Sequence, residues 1–158
     1  MRPMSTLLHG VVERLRERFS GHLVAVALFG SVARGEATEE SDLDFLVVLQ
    51  GVPKSLERRY QVYRPIRDAL TMQSRRIRDI TAIDLDDEFI NNDDAEITPL
   101  MLNIASDATI LYDPKGQLAS FLRRIRRLIE VAGLERCRTK DGKYGWRPKR
   151  GVLQIVEA

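Results

Sequence analysis

Two short motifs carry the residue types of this chain that could do chemistry. Gly30 and Ser31 end an apolar run at 23–29, and Asp42 and Asp44 open a second apolar run. Residues two positions apart on a strand point to the same side, so the two carboxylates lie next to each other. Adjacent carboxylates repel each other unless a cation lies between them. Magnesium binds one or two carboxylates together with substrate phosphates, so the acid pair predicts a magnesium site.

The Gly30-Ser31 turn complements the acid pair. Glycine lets the backbone approach a ligand closely. A helix that begins directly after the turn would point free N–H groups at an anion. Metal-binding carboxylates beside a phosphate-binding turn indicate phosphoryl or nucleotidyl transfer. The alternative is a Gly-Ser turn with two solvated aspartates, which the flanking apolar runs disfavour.

These residues together resemble a known signature. Gly30-Ser31, ten further residues and Asp42-Leu43-Asp44 resemble the signature of the DNA polymerase beta-like nucleotidyltransferase superfamily. The fuller string also contains Ala33-Arg34-Gly35-Glu36 and Ser41, and it is most similar to the small branch of minimal nucleotidyltransferases. This resemblance implies a nucleotidyltransferase fold and transfer of a nucleoside monophosphate from an NTP to an acceptor hydroxyl, with release of pyrophosphate. ATP is the default donor by analogy.

The resemblance also implies roles for individual residues. Asp42 and Asp44 would hold two Mg²⁺ ions, and a third carboxylate would complete the second metal site and act as general base. Nucleotide binding is expected of Gly30, Ser31, Arg34 and Ser41. For Arg34, the alternative is a solvated surface arginine.

The third carboxylate has two candidates near the predicted third strand, residues 77–83. Asp79 lies inside this strand and shares its face with Thr81. Asp84 lies at the end of the strand, where it could cap an acidic first helical turn. We therefore assign Asp79 as the third catalytic and metal-binding carboxylate, with Asp84 as the alternative. Arg78 precedes Asp79 where the family pattern usually has an apolar residue.

Hydrophobic periodicity predicts an α/β (α+β) fold, with a mixed central sheet flanked by helices. Helices are predicted at 5–19, 31–35, from 54 or 55 onward, 97–106 and 118–132, and strands at 23–29, 42–49, 77–83 and 108–112. The third helix contains Pro65, and an interior proline costs about 3 kcal/mol, so we predict a kink or break there. Residues 1–112 would form the nucleotidyltransferase core, and 113–158 a C-terminal helix plus two or three short strands. In this appendage, Tyr144 and Trp146 are predicted to pack against the preceding helix.

The composition restricts the classes of protein to which the chain could belong. The chain has 158 residues, 44% of them hydrophobic, and a net charge of +2, which is too small to argue for nucleic-acid binding. Cys137 is the single cysteine, so an intramolecular disulfide is excluded. Since no run of 18 apolar residues and no signal-peptide core occurs, we expect a cytoplasmic protein without membrane association.

Three hypotheses on partners follow. The small branch is similar to antitoxins of two-gene modules, which implies a separate toxin-like protein as partner. An alternative is a non-catalytic module of the same fold that neutralises its partner by contact. The hypothesis of RNA binding has weaker support, because it depends only on a basic helix face, which is also typical of a solvated surface. This face carries Arg123, Arg124, Arg126 and Arg127. A homo-oligomer is also possible, since the apolar stripe of this helix could pack against a second subunit.

Overall fold

A four-stranded mixed sheet forms the centre of the protein. The computed structural model describes residues 4–36, 41–73 and 79–149. Its helices are α1 (Met4–Arg18), α2 (Gly30–Ala33), α3 (Leu56–Gln73), α4 (Asp87–Ile90), α5 (Pro99–Asp107) and α6 (Gln117–Val131). Its strands are β1 (Leu23–Phe29), β2 (Leu43–Leu49), β3 (Ile80–Asp86), β4 (Thr109–Tyr112), β5 (Leu134–Arg138) and β6 (Tyr144–Pro148).

The sheet has the order β3-β2-β1-β4, and β1 is antiparallel to both of its neighbours. Strand β2 pairs with β3 in parallel, which makes the sheet mixed, as predicted. Since β2 and β3 are parallel, both begin at the same edge of the sheet, and the crossover between them contains α3.

The two faces of the sheet are covered by different helices. In β2, the buried side chains alternate between two hydrophobic cores, as the period of two requires. Phe45 and Val47 lie in the core with α1 and α3, whereas Leu46 and Val48 lie in the core with α5 and α6. We call these the first and the second core. Both faces are therefore covered, which explains the nearly continuous apolar runs of β1 and β2.

Helix α3 continues through Pro65, so the predicted break is wrong. The proline removes one backbone hydrogen bond and its ring crowds the preceding turn. Packing outweighs this cost, because Val62, Ile66 and Ala69 on both sides of Pro65 are at most 2% exposed and belong to the first core.

Strand β3 extends three residues further than predicted, and the helix after it begins at Asp87. Asp84 therefore lies in a strand, and its predicted role as a helix cap is wrong. The cause is a long-range ion pair: Arg58 of α3, whose side chain is 1% exposed, donates through Nε to Asp84 at 2.7 Å and also binds Asp86. The predicted start of this strand, at Ile77, lies outside the described residues.

The C-terminal helix and hairpin pack on the second core. Leu118, Phe121, Leu122 and Ile125 of α6 are at most 2% exposed. Most of the apolar stripe of α6 is thus buried in this chain. The antiparallel strands β5 and β6 form the predicted hairpin, and the end of the predicted appendage, from residue 150, lies outside the described residues.

The side chains of the hairpin and of α6 make specific contacts with the core. Trp146 packs against the second core, and its Nε1–H donates to Asn103 Oδ1 of α5 at 2.9 Å. Two arginines of the basic face of α6 bind backbone carbonyls, Arg124 that of Ile90 and Arg126 that of Ala105. No helix in the described part of the chain combines the length and the apolar character that crossing a membrane requires.

Candidate active site

Three neighbouring strand ends bring the predicted site residues to one edge of the sheet. Phe29, the last residue of β1, pairs with Asp44 near the start of β2. Asp44 in turn pairs with Thr81 near the start of β3. The N–H of Leu43 donates to the carbonyl oxygen of Asp79 at 2.9 Å. This register places Asp79 beside the acid pair and the turn at Gly30 beside Asp44.

The alternation of side chains decides which carboxylates share a face. Asp44 precedes Leu46 by two positions and therefore projects from the face of the second core, and Asp42 follows the same alternation. In β3, Ile83 packs on the second core, so Thr81 and Asp79 project from this face as well. The three predicted carboxylates thus lie on one face of one sheet edge.

Asp84 lies on the opposite face of β3. The neighbours of Asp84 by alternation, Ile80 and Ala82, pack on the first core. The side chain of Asp84 is 7% exposed and is bound by Arg58. Asp84 is therefore not placed to join Asp42 and Asp44, and its carboxylate has a structural partner.

Gly30 lies directly against the carboxylate of Asp44. Its φ is +77°, a conformation that favours glycine. A Cβ at this position would lie 2.1 Å from Asp44 Oδ2 and 3.1 Å from its Cγ. Both the backbone conformation and the available space therefore require glycine, and a ligand of Asp44 would lie beside the backbone of the turn.

The environment of Asp44 suits a bound cation. Burial raises the pKa of Asp44, and the negative charge of Asp42 raises it further. A hydrogen bond from Thr81 and the positive charge of Arg34 oppose this increase without cancelling it. A cation between the two carboxylates would favour their charged forms.

The donor set fits magnesium held partly by substrate. Among residues 4–36, 41–73 and 79–149, no three His, Cys, Asp or Glu side chains are arranged to hold a metal by themselves. Magnesium is typically bound by one or two carboxylates together with substrate phosphates, and the pair Asp42 and Asp44 fits this requirement. Asp79, which is exposed, lies beside the pair without forming a closed ligand set.

The predicted nucleotide-binding residues surround this pair. Ser31 is half-buried in α2, directly after Gly30, and Ser41 is half-buried directly before Asp42. Arg34 follows α2, and its side chain is 20% exposed, so the alternative of a solvated surface arginine is wrong. Burial works against the charge of Arg34, but hydrogen bonds to Asp107 and Glu36 raise its pKa overall.

The structure adds residues that the sequence analysis missed. Thr81 donates a hydrogen bond to Asp44. The sequence contained a sign of this role, because Thr81 lies two residues after Asp79 and therefore on the same face of the predicted strand. Asp107 binds Arg34 from 73 positions away, and no local pattern indicates this pair. Tyr144 lies against the guanidinium groups of Arg34, Arg136 and Arg138, contacts that the sequence analysis did not predict.

The chain is similar in sequence to one family model and to a known relative. Residues 8–111 match the family model described as nucleotidyltransferase domain. A candidate protein adenylyltransferase of Methanocaldococcus jannaschii is 30% identical over 127 residues, which cover 80% of this chain and 84% of that protein. These matches confirm the resemblance drawn from the signature.

Two solved structures share the fold. One is the complex of a tri-AMPylated HEPN toxin with an MNT antitoxin from Shewanella oneidensis, with a TM-score of 0.52 and 16% identity over 79% of this chain and 85% of that chain. The other is the spectinomycin adenyltransferase AAD(9) from Enterococcus faecialis with ATP and spectinomycin, with a TM-score of 0.54 and 17% identity over 78% of this chain and 66% of that chain.

Proposed function

The chain belongs to the nucleotidyltransferase domain family, and we propose that it transfers AMP from ATP to a hydroxyl group of a partner protein. The name of the M. jannaschii relative supports a protein as acceptor. The ATP in the spectinomycin adenyltransferase structure supports ATP as donor.

One observation carries this proposal: the backbone of Gly30 lies directly against the carboxylate of Asp44, on the face of the sheet that also holds Asp42. A Cβ at Gly30 would lie only 2.1 Å from Asp44 Oδ2, so a phosphate at the turn would also contact the acid pair. Carboxylates that can hold a metal, next to a backbone turn that can bind a phosphate, supply the components of metal-assisted transfer. A solvated aspartate pair would not need a glycine at this point.

Each of these residues has its own role in the proposed reaction. Asp42 and Asp44 would hold magnesium, which would neutralise the triphosphate and stabilise the attacking and leaving oxygens. Gly30 and Ser31 would bind the β- and γ-phosphates. Arg34 would donate to a phosphate oxygen, and Ser41 would contact the nucleotide.

In the transfer step, the acceptor hydroxyl oxygen forms a bond to the α-phosphorus of ATP, and the bond from that phosphorus to the α,β-bridging oxygen breaks. Pyrophosphate leaves, and the hydroxyl proton passes to the carboxylate of Asp79. Asp79 suits this role because it is exposed and its backbone binds that of Leu43, between Asp42 and Asp44. With substrate phosphates as further ligands, Asp79 would also contribute to a second metal site.

We further propose that the acceptor is the toxin of a two-gene module in which this chain is the antitoxin. The support is the shared fold with the chain of the S. oneidensis complex, whose toxin is AMP-modified. The acceptor would be the protein encoded beside this one, so the two chains can be produced together.

The test uses radiolabelled ATP with wild type, Asp42→Asn or Asp44→Asn, each mixed with the neighbouring gene product. Wild type is expected to label the partner in the presence of Mg²⁺, and both variants are expected to lose labelling with an unchanged thermal unfolding temperature. Labelling by either variant at the wild-type rate would refute the assignment of the acid pair. Neutralisation of the partner by an unlabelled complex, equally with wild type and variants, would favour the contact-only module.

A further inference from the structure

A cluster of arginines around one tyrosine lies beside the phosphate-binding turn. We call it the arginine–tyrosine cluster, and it consists of Arg34, Glu36, Asp107, Arg136, Arg138 and Tyr144. Its last three members lie in the hairpin β5–β6, beyond the residues 8–111 that match the family. The hairpin thus reaches the nucleotide site from outside the family domain.

Asp107 connects the two parts of this cluster. Its side chain is 5% exposed at the end of α5. Its Oδ2 accepts from Nη1 of Arg34 at 2.8 Å, and its Oδ1 accepts from Nη1 of Arg136 at 2.9 Å. One buried carboxylate therefore joins the arginine after the turn to an arginine of the hairpin.

Tyr144 is the second point of contact between the parts. The guanidinium carbons of Arg34, Arg136 and Arg138 lie 4.8, 4.5 and 4.7 Å from the centre of its ring. These distances are within the range of cation–π attraction. The hydroxyl of Tyr144 also accepts from Nη2 of Arg138 at 3.0 Å.

These contacts fix the orientation of Arg34. Asp107 binds Nη1 and Glu36 binds Nε at 3.1 Å, while the ring of Tyr144 lies against the guanidinium carbon. An arginine that is already held in place loses less side-chain entropy when it binds a phosphate. The backbone of Arg34 also adjoins the turn, because its N–H donates to the carbonyl oxygen of Gly30 at 3.1 Å.

We propose that Asp107 is a positioning residue that holds Arg34 toward the triphosphate, and that the hairpin supports this position of Arg34 through Arg136, which binds Asp107, and through the ring of Tyr144. This inference rests on the proposed function, in which Arg34 contacts phosphate. It predicts that the hairpin affects the binding of the nucleotide.

The test measures the affinity of the full chain for α,β-methylene ATP with Mg²⁺ by titration calorimetry, because this analogue cannot release AMP. Asp107→Asn is expected to weaken binding about tenfold, as the loss of a charge-assisted hydrogen bond to phosphate would. Glu135→Gln is the matched control, since it removes the ion pair of Glu135 with Arg147 in the same hairpin and should leave the affinity unchanged.

A double-mutant cycle separates positioning from general stability. In an Arg34→Gln background, Asp107→Asn should cause little further loss of affinity, because the residue it positions is absent. An equal loss in both backgrounds, or no loss in either, would overturn the inference. Absence of binding by the wild type would refute the proposed function itself, so the two failures are distinguishable.

A second pair of variants keeps the test decisive if Asp107→Asn does not fold. Tyr144→Phe keeps the ring and loses only the hydroxyl that accepts from Arg138, so it is the reference for loss of the ring. Tyr144→Leu removes the ring and should weaken binding about threefold, the size of one cation–π contact. Equal affinities for these two variants would contradict the role of the ring.

Discussion

Gly30→Ala tests the contact between the turn and the acid pair, and Gly21→Ala is its matched control. Both glycines have a φ of +77°. A Cβ at Gly21 would have no atom within 4 Å, whereas a Cβ at Gly30 would lie 2.1 Å from Asp44 Oδ2. The two variants therefore share the backbone cost and differ only in the contact with Asp44.

The size of the difference follows from that contact. The left-handed backbone costs a non-glycine residue about 1–2 kcal/mol at both positions. At Gly30 the Asp44 side chain must also move, which costs about 0.5–1.5 kcal/mol if it leaves its rotamer. Its hydrogen bond from Thr81 contributes about 1 kcal/mol, and this is lost as well. We expect Gly30→Ala to be less stable than Gly21→Ala by about 2 kcal/mol.

The assay is thermal unfolding, combined with titration of α,β-methylene ATP and Mg²⁺. The expected difference corresponds to a Tm about 4–8 °C lower for Gly30→Ala than for Gly21→Ala in a chain of this size. Gly30→Ala should also lose nucleotide binding, because the displaced carboxylate no longer lies beside Asp42. Gly21→Ala should bind like wild type.

A third variant identifies the atom responsible. In an Asp44→Ala background the carboxylate is absent, so Gly30→Ala should cost only as much as Gly21→Ala. The reasoning would be refuted if the two glycine variants had equal stability and equal nucleotide affinity. It would also fail if the extra cost persisted without the carboxylate.

Two further predictions concern the corrected elements of the fold. Asp79→Asn should reduce AMP transfer without a change in stability. Asp84→Ala should lower the free energy of unfolding by about 3 kcal/mol, because it leaves the buried charge of Arg58 with one partner fewer. Urea unfolding and transfer rates of both variants check this, and a loss of stability in Asp79→Asn with a loss of transfer alone in Asp84→Ala would contradict it. Pro65→Ala should raise the free energy of unfolding by about 1–2 kcal/mol, because the restored helix hydrogen bond outweighs the lower entropy that proline gives the unfolded chain. A loss of stability in the same assay would show that the half-buried ring contributes more by packing.

Strand periodicity and turn chemistry are local properties, and the chemistry of the acid pair could be predicted from them. The spacing of Asp42 and Asp44 places both carboxylates on one face once the backbone is extended, and the apolar run that follows them predicts a strand. The glycine before Ser31 likewise indicated a close approach of the backbone. The structure adds that the atom approached is Asp44 Oδ2.

The assignment of the third carboxylate required both the sequence and the tertiary structure. The sequence offered Asp79 and Asp84, and the alternation in β3 separates them by face only once the strand is known to continue to Asp86. A run of acids is typical of the start of a helix when considered alone. Arg58, 26 positions earlier in the chain, neutralises Asp84 and lets the strand continue.

The sequence by itself therefore determined the kind of chemistry, the acid pair and the turn, because each depends on residues that are close in the chain. Only the tertiary structure decided the partners of Arg34, the continuity of α3 through Pro65 and the place of the hairpin. These features depend on buried charge pairs and packing between distant segments. The bond from Arg34 to Asp107 and the contact of Arg34 with Tyr144 form only when α5 and the hairpin are folded against the turn.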